Sequence, residues 1–245
     1  MVGLADVHTH LTDKAFALDR AEVVERAKAA GVAVMITNGL NPADNRQALA
    51  LASPSIKVAL GCYPGDAVRL SDEAFAEELA WIKEQRCVAI GEIGLDGTLR
   101  GMPTQTRRFR ALVRLAAGLQ KPVIVHTRKA ERLVLDLLIE EKAEKVVLHC
   151  FSGSAELIKE GAKAGFSFSI PTNVVFSEHF QRLVRLCPLQ QLLTETDAPY
   201  LGPAKGQRNE PANIAVSIKK IAELKDLDAG EMKNIVFENY QRMFL

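Results

Sequence analysis

The chain lacks several features that would each indicate a class of protein. Its 31 Lys and Arg residues balance 30 Asp and Glu residues, so a formal net charge of +1 points to neither a strongly basic nor a strongly acidic binding surface. The four cysteines contain no C-x-x-C pair, which argues against a disulfide framework and indicates reduced thiols. No charged leader precedes an apolar run, and no stretch reaches the roughly 18 apolar residues of a membrane span. We therefore expect a cytoplasmic protein without a membrane segment.

The length and the composition fit one large core. A chain of 245 residues is close to the roughly 250 residues of a (β/α)₈ barrel. Hydrophobic residues make up 48% of the chain and charged residues 25%, which is ordinary for a globular domain. No linker, repeat or low-complexity stretch divides the sequence. We expect one domain over residues 1–245.

Short apolar segments alternate with helical ones along the whole chain. Eight segments are rich in Val, Ile, Leu, Ala and Phe, as strands buried on both faces should be: Leu4–His10, Val32–Gly39, Lys57–Pro64, Cys87–Leu95, Pro122–Arg128, Lys145–Phe151, Phe166–Val174 and Leu192–Tyr200. Seven helices are predicted between them, followed by a helical region over Pro211–Met243. Strict alternation implies parallel strands with right-handed crossovers. The fold class is therefore α/β, and eight strands favour a (β/α)₈ TIM barrel with a C-terminal helical extension, with an open doubly wound sheet as the alternative.

Polar side chains collect at the carboxyl ends of these strands. Side chains two apart on a strand share a face, so His8 and His10 are expected about 7 Å apart along the strand on the same side, and Asp6 could orient one of the rings. The full set is His8, His10, Glu92, His126, His149 and Asp197. Carboxyl ends of barrel strands are where active sites form. A single one of these histidines could be a hydrogen-bonded core residue, but the whole set indicates a metal site.

The types of ligand restrict the metal. Imidazole and carboxylate without thiolate argue against a closed structural zinc site and suit an open site for Zn, Mn or Mg. Six ligands are too many for one tetrahedral ion, and they suit two divalent ions that share a carboxylate. Such a pair typically activates water, so the predicted chemistry is hydrolysis.

These residues lie in motifs that resemble the TatD family of metal-dependent deoxyribonucleases, within the amidohydrolase superfamily. The motifs are Asp6–Leu11 (DVHTHL), Ala89–Asp96 (AIGEIGLD), Pro122–Thr127 (PVIVHT), Leu148–Gly153 (LHCFSG), Thr194–Tyr200 (TETDAPY) and Arg208–Pro211 (RNEP). The resemblance implies a barrel that cleaves DNA phosphodiester bonds, with single-stranded or frayed ends as the expected partner.

The resemblance also assigns roles to the residues. It implies a first metal held by His8, His10, Glu92 and Asp197. It implies a second metal held by His126 and His149, with Glu92 as the bridge and Asp197 as the catalytic base.

Substrate contacts are expected around this site. Where the family has Gly-x-His-Pro, this chain has Gly61–Pro64 (GCYP), so Tyr63 is expected to hydrogen-bond to substrate in place of the histidine. Arg128 and Lys129 follow His126 directly, and Lys205 and Arg208 lie in the loop after Asp197, so all four are candidate phosphate contacts. Other basic and imidazole residues are interpreted as structural, on a solvated helix face for Arg107, Arg108 and Arg110 and at a helix start for His179.

Two other functions remain open from the sequence. The first is a hydrolase of a small ester, amide or phosphoester from the same superfamily, which the Tyr63 substitution and the near-neutral charge favour. The second is a catalytically silent barrel used as a binding scaffold, against which the complete ligand set argues.

Overall fold

The computed structural model describes residues 3–245; residues 1 and 2, which the predicted domain includes, lie outside the described part. Eight parallel strands form one sheet in the order of the chain. The strands are β1 (Leu4–Thr9), β2 (Val32–Asn38), β3 (Ile56–Leu60), β4 (Ala89–Gly94), β5 (Val123–His126), β6 (Val146–His149), β7 (Ser167–Ile170) and β8 (Leu192–Thr194). Each lies within a segment predicted from its apolar run or overlaps it almost completely.

The last strand returns to the first, so the sheet curls into a nearly closed barrel. The backbone N–H of Asp197 donates to the His8 carbonyl at 2.8 Å, and the backbone N–H of His10 donates to the Ala198 carbonyl at 2.8 Å. These bonds join the segment after β8 to the end of β1. The (β/α)₈ prediction is confirmed, and the open doubly wound alternative is wrong.

Helices follow the strands on the outside. They are α1 (Arg20–Ala29), α2 (Pro42–Ala50), α3 (Pro64–Arg69), α4 (Asp72–Lys83), α5 (Met102–Gly118), α6 (Glu131–Glu140), α7 (Ala155–Lys163), α8 (Glu178–Leu186), α9 (Ile214–Lys225) and α10 (Ala229–Phe244). The short α3 was not predicted. The C-terminal helical region is two helices, since Asp226 adopts a left-handed backbone (φ 54°) that ends α9.

Two buried clusters hold the barrel together. The larger packs the outer faces of the strands against the helices, with Phe16, Phe109, Phe166 and Phe168 among its largest side chains. The smaller draws on seven strands and on Tyr240 and Phe244 of α10. Helix α10 therefore packs onto residues of the barrel strands themselves. Within residues 3–245, no helix combines the length and the apolar character needed to cross a membrane.

Candidate metal centre

Glu92 is only 3% exposed, and its carboxylate lies among the four imidazoles predicted at the strand ends. Its Oε2 atom is 3.3 Å from His8 Nε2 and 3.4 Å from His10 Nε2. The two imidazole nitrogens are 3.1 Å apart, and they lie 3.5 and 3.3 Å from Asp197 Oδ1. Two nitrogens and two carboxylate oxygens thus form one compact group, with strands β1 and β4 and the segment after β8 each supplying donor atoms.

The other oxygen of Glu92 faces a second pair of histidines. Its Oε1 atom is 3.1 Å from His126 Nδ1 and 3.7 Å from His149 Nε2. The His149 ring also stacks on the His8 ring, with centroids 3.8 Å apart and planes 10° from parallel. One carboxylate therefore lies between two groups of donor atoms.

The donor atoms have the spacing that a divalent ion requires. Bonds of about 2.0–2.1 Å at a tetrahedral zinc place neighbouring ligands about 3.3 Å apart. In the group of His8, His10, Glu92 and Asp197, five separations between an imidazole nitrogen and another donor run from 3.1 to 3.5 Å. The donors of Glu92, His126 and His149 also lie within 4.8 Å of one another. Both groups could hold a metal ion.

The electrostatics of the cluster favour a bound cation. Burial alone would raise the pKa of Glu92, but hydrogen bonds with His126 and His8 hold it well below its usual range. Burial would lower the pKa of His10, and the hydrogen bond to Asp197 and the charge of Glu92 instead raise it to about 9. The Glu92 carboxylate is thus charged at neutral pH, and it stabilises either protonated imidazoles or a metal ion. Binding of the ion would release the protons from the imidazoles.

The comparison with known proteins identifies the family. A family model described as TatD related DNase matches residues 5–245. The chain belongs to the TatD family. It is 39% identical to an uncharacterized metal-dependent hydrolase of Methanocaldococcus jannaschii, over 99% of this chain and 97% of that protein. It is 35% identical to the 3'-5' ssDNA/RNA exonuclease TatD of Citrobacter koseri, over 98% of this chain and 98% of that protein.

A solved structure shows the same fold. The crystal structure of YjjV, a TatD homologue from Escherichia coli K12, superposes with a TM-score of 0.91 at 28% identity, covering 100% of this chain and 99% of that chain. Family membership, a relative named as a metal-dependent hydrolase and the two donor groups together identify this TatD protein as a metal-dependent hydrolase.

Buried carboxylates that sequence reasoning missed orient two imidazoles of the candidate metal centre. Glu195, 0% exposed, lies with Oε2 3.1 Å from His149 Nδ1, and its Oε1 accepts from the Cys150 backbone N–H at 2.9 Å. Ser169 donates its hydroxyl to the same carboxylate at 2.5 Å. Asp96 plays the matching part on the other side, with Oδ2 3.4 Å from His126 Nε2. In each case a carboxylate faces the ring nitrogen that points away from Glu92. Such a contact fixes which ring nitrogen carries the proton.

Asp6 does not orient an imidazole ring, contrary to expectation. Its carboxylate accepts from the backbone N–H of His8 at 3.3 Å, and from the backbone N–H and hydroxyl of Thr196 at 2.9 and 2.5 Å. The His8 Nδ1 atom is buried without a hydrogen-bond partner. Burial raises the pKa of Asp6 to about 8. Asp6 therefore ties β1 to the segment after β8, which carries Asp197.

The residues predicted to contact substrate in this TatD chain differ in their exposure and in the groups that they contact. Tyr63 lies beside the site, with its ring centroid 5.0 Å from that of His126 and its hydroxyl donating to Asp96 Oδ2 at 3.0 Å. Arg128 and Lys129 are exposed directly after β5. Lys205 is exposed too, with its ammonium 5.4 Å from the centroid of the Phe176 ring.

Arg208 is engaged within the protein. Its guanidinium donates to both carboxylate oxygens of Asp19, at 2.7 and 2.6 Å, and to the Ala15 carbonyl at 2.7 Å. These bonds tie the loop after β8 to the loop after β1. Its neighbour Asn209, which sequence reasoning did not single out, is 0% exposed and donates to the Thr196 carbonyl at 2.8 Å. The RNEP motif thus braces the segment that carries Asp197.

Proposed function

We propose that this protein is a TatD-type deoxyribonuclease that cleaves phosphodiester bonds from the end of single-stranded or frayed DNA, using two divalent ions (Zn, Mn or Mg). The observation that carries the proposal is the position of Glu92, whose two oxygens each face a different pair of imidazoles. A carboxylate shared in this way is typical of two-ion sites that cleave phosphodiesters. The relative from Citrobacter koseri, named as an exonuclease on single-stranded DNA and RNA, supports the substrate class.

We propose that the chain acts as one catalytic domain over residues 1–245 in the cytoplasm. All eight strands contribute to one sheet, and donor atoms from its first strand and from the segment after its last strand meet at one site. The four cysteines are free, and free thiols are typical of proteins in a reducing compartment.

The proposed roles follow from charge and position. His8, His10, Glu92 and Asp197 would hold the first ion, and His126 and His149 with Glu92 would hold the second. Bound there, the ions would act as Lewis acids on a phosphate oxygen and would increase the acidity of a water molecule.

Asp197 is the proposed catalytic base. Burial opposes its ionisation, but the hydrogen bond with His10 and nearby imidazoles keep the pKa of its carboxyl below the usual value. The side chain is 14% exposed, so a water molecule can reach the carboxylate, which stays charged at neutral pH. It would orient the attacking water and receive its proton.

We propose that the exposed cations Arg128, Lys129 and Lys205 contact phosphates on either side of the cleaved bond. Arg208 would act differently, by holding the loop that carries Lys205. Tyr63 remains a proposed substrate contact, although its hydroxyl donates to Asp96 here.

A second candidate function is hydrolysis of a small ester, amide or phosphoester. The Tyr63 hydroxyl donates to Asp96 and the Arg208 guanidinium donates to Asp19, so part of the predicted phosphate-binding set is already hydrogen-bonded within the protein. Parallel assays on DNA and on small esters and amides separate the two functions.

Cleavage of end-labelled single-stranded DNA tests the proposal. Metal-stripped protein would receive Mg²⁺, Mn²⁺ or Zn²⁺ in turn, with label at the 5' end in one set and at the 3' end in another. We expect shortening from one end that needs added metal and is lost in His149→Ala. The matched control is His179→Ala, because His179 lies on α8 and contacts the Phe151 carbonyl instead of Glu92. Metal-bound protein that cleaves small esters or amides but no DNA would refute the nuclease proposal.

A further inference from the structure

Four exposed apolar side chains lie in loops on the face that carries the metal centre. Among the described residues, seven large apolar or aromatic side chains are exposed: Leu18, Leu99, Leu133, Ile139, Phe176, Tyr200 and Leu245. Leu18, Leu99, Phe176 and Tyr200 lie in loops that follow strands, whereas Leu133 and Ile139 lie on α6. Loops after the strands form the active-site face of a barrel. Apolar groups held in water at that face are candidates for contact with substrate.

Tyr200 is the aromatic residue of this group next to a metal ligand. Its ring centroid lies 6.3 Å from that of His10, and the side chain is 54% exposed. The Tyr200 hydroxyl donates to Asp13 Oδ2 at 2.9 Å, and its backbone N–H donates to the Asp197 carbonyl at 2.8 Å. The ring is therefore held at both ends while much of its surface faces solvent. A side chain fixed in this way loses little conformational entropy when a ligand binds.

The loop that carries this ring also carries a cation, which lies beside a second exposed aromatic ring. Lys205 belongs to the same loop as Tyr200 and places its ammonium 5.4 Å from the Phe176 ring centroid. The Thr172 hydroxyl donates to the Leu201 carbonyl at 2.8 Å, which joins the loop after β7 to the loop after β8. Aromatic rings interspersed with cations are what a single strand requires, because its bases stack and its phosphates need positive charge.

We propose that Tyr200 is a base-stacking residue, which receives the unpaired base of the nucleotide next to the cleaved phosphate. This inference rests on the proposed nuclease function. Bases within a duplex have both faces covered by their neighbours, so stacking on Tyr200 would restrict the nuclease to single strands and frayed ends. An aromatic face accepts any base, so the contact would select unpaired nucleotides without selecting sequence. Tyr200 would position the strand, while Glu92 and Asp197 remain the reacting groups.

Binding of two oligomers tests the role of Tyr200 without a need for cleavage. One is a phosphorothioate oligothymidylate, which resists hydrolysis, and the other is an abasic phosphorothioate chain of the same length. Fluorescence anisotropy would give the dissociation constants for metal-loaded wild-type protein and for Tyr200→Ala, Tyr200→Leu and Tyr200→Phe. Leu133→Ala is the control, because Leu133 is 38% exposed on the outer helix α6.

The proposal makes a distinct prediction for each variant. Tyr200→Ala should weaken binding of the oligothymidylate by about 5- to 150-fold, the range measured when a base loses its aromatic partner. Binding of the abasic chain should not change. Tyr200→Phe should keep most of the affinity, and Tyr200→Leu should resemble Tyr200→Ala because it lacks an aromatic face. Leu133→Ala should bind both chains like the wild type.

Either of two results would overturn the inference. Equal binding of oligothymidylate by Tyr200→Ala and wild type would show that the base does not contact the ring, and wild-type affinity in Tyr200→Leu would show an unspecific apolar contact. Failure of the wild type to cleave end-labelled DNA is a separate result: it would refute the nuclease function, while the binding comparison still decides the role of Tyr200.

Discussion

Replacing Glu195 with Gln tests whether the buried network behind His149 prepares that imidazole to bind a metal ion. The carboxylate accepts from three donors, at 2.9 Å from the Cys150 backbone N–H, 2.5 Å from the Ser169 hydroxyl and 3.1 Å from His149 Nδ1. A carboxylate only accepts, so it keeps the imidazole proton on Nδ1. The Nε2 lone pair, on the side of Glu92, is then available to a cation.

An amide cannot serve all three donors. If its NH₂ group faces His149, it donates to Nδ1 and moves the imidazole proton to Nε2, the atom that would bind the ion. If the NH₂ group faces Cys150 instead, a buried backbone N–H loses its acceptor, which costs about 1–3 kcal/mol. Loss of such an orienting partner typically weakens metal binding by about 10- to 100-fold. We therefore expect Glu195→Gln to show this loss of metal affinity in the first orientation, or in the second a melting temperature lower by about 2–4 °C for each kcal/mol.

Isothermal titration of metal-stripped protein with Zn²⁺ or Mn²⁺ measures this effect. Ser169→Ala is the matched control, because it removes one donor and leaves the carboxylate on His149, so its metal affinity should stay close to that of the wild type. The reasoning would be refuted if Glu195→Gln bound ions as tightly as the wild type and melted at the same temperature.

Two further predictions concern packing and charge. A Cβ atom on Gly61 would lie 2.5 Å from the Gly91 carbonyl carbon and 2.7 Å from the Glu92 nitrogen, so Gly61→Ala should displace Glu92 and reduce metal content, measured by elemental analysis. In Gly118→Ala the new Cβ meets no atom within 4 Å, and metal content should not change. The hydrogen bond from Arg208 lowers the pKa of Asp19 to about 2 from 3.8. Stabilisation by a lowered carboxyl pKa is present above the unfolded value and is lost as pH falls through the folded value. The difference in melting temperature between wild type and Asp19→Asn should therefore shrink between pH 4 and pH 2, and a difference independent of pH would contradict this ion pair.

The sequence was sufficient to predict the barrel and the meeting of six polar residues at one end of it. Eight apolar runs in strict alternation leave few arrangements of strands, and the carboxyl ends of parallel strands lie on one face. Each predicted ligand stands at the end of such a run or within three residues of it, as Asp197 does after Thr194. The chemistry of the site could therefore be inferred from the sequence alone.

Partners across the sheet could not be inferred in the same way. Glu195 meets His149 and Ser169 because β6, β7 and β8 are adjacent in a particular register, and a one-residue slip would turn each side chain to the other face. Arg108, expected on a solvated face, is 3% exposed because the unpredicted α3 covers it. Its guanidinium donates to the Ala67 and Leu70 carbonyls at the end of that helix.

The number of ions bound per chain tests most directly the claim that Glu92 serves two metal sites. Metal-stripped protein would be titrated to saturation, and the stoichiometry confirmed by elemental analysis. We expect two ions for the wild type and for His179→Ala, one for His126→Ala, and a loss of tight binding at both sites for Glu92→Ala. Two tightly bound ions in Glu92→Ala would contradict the claim.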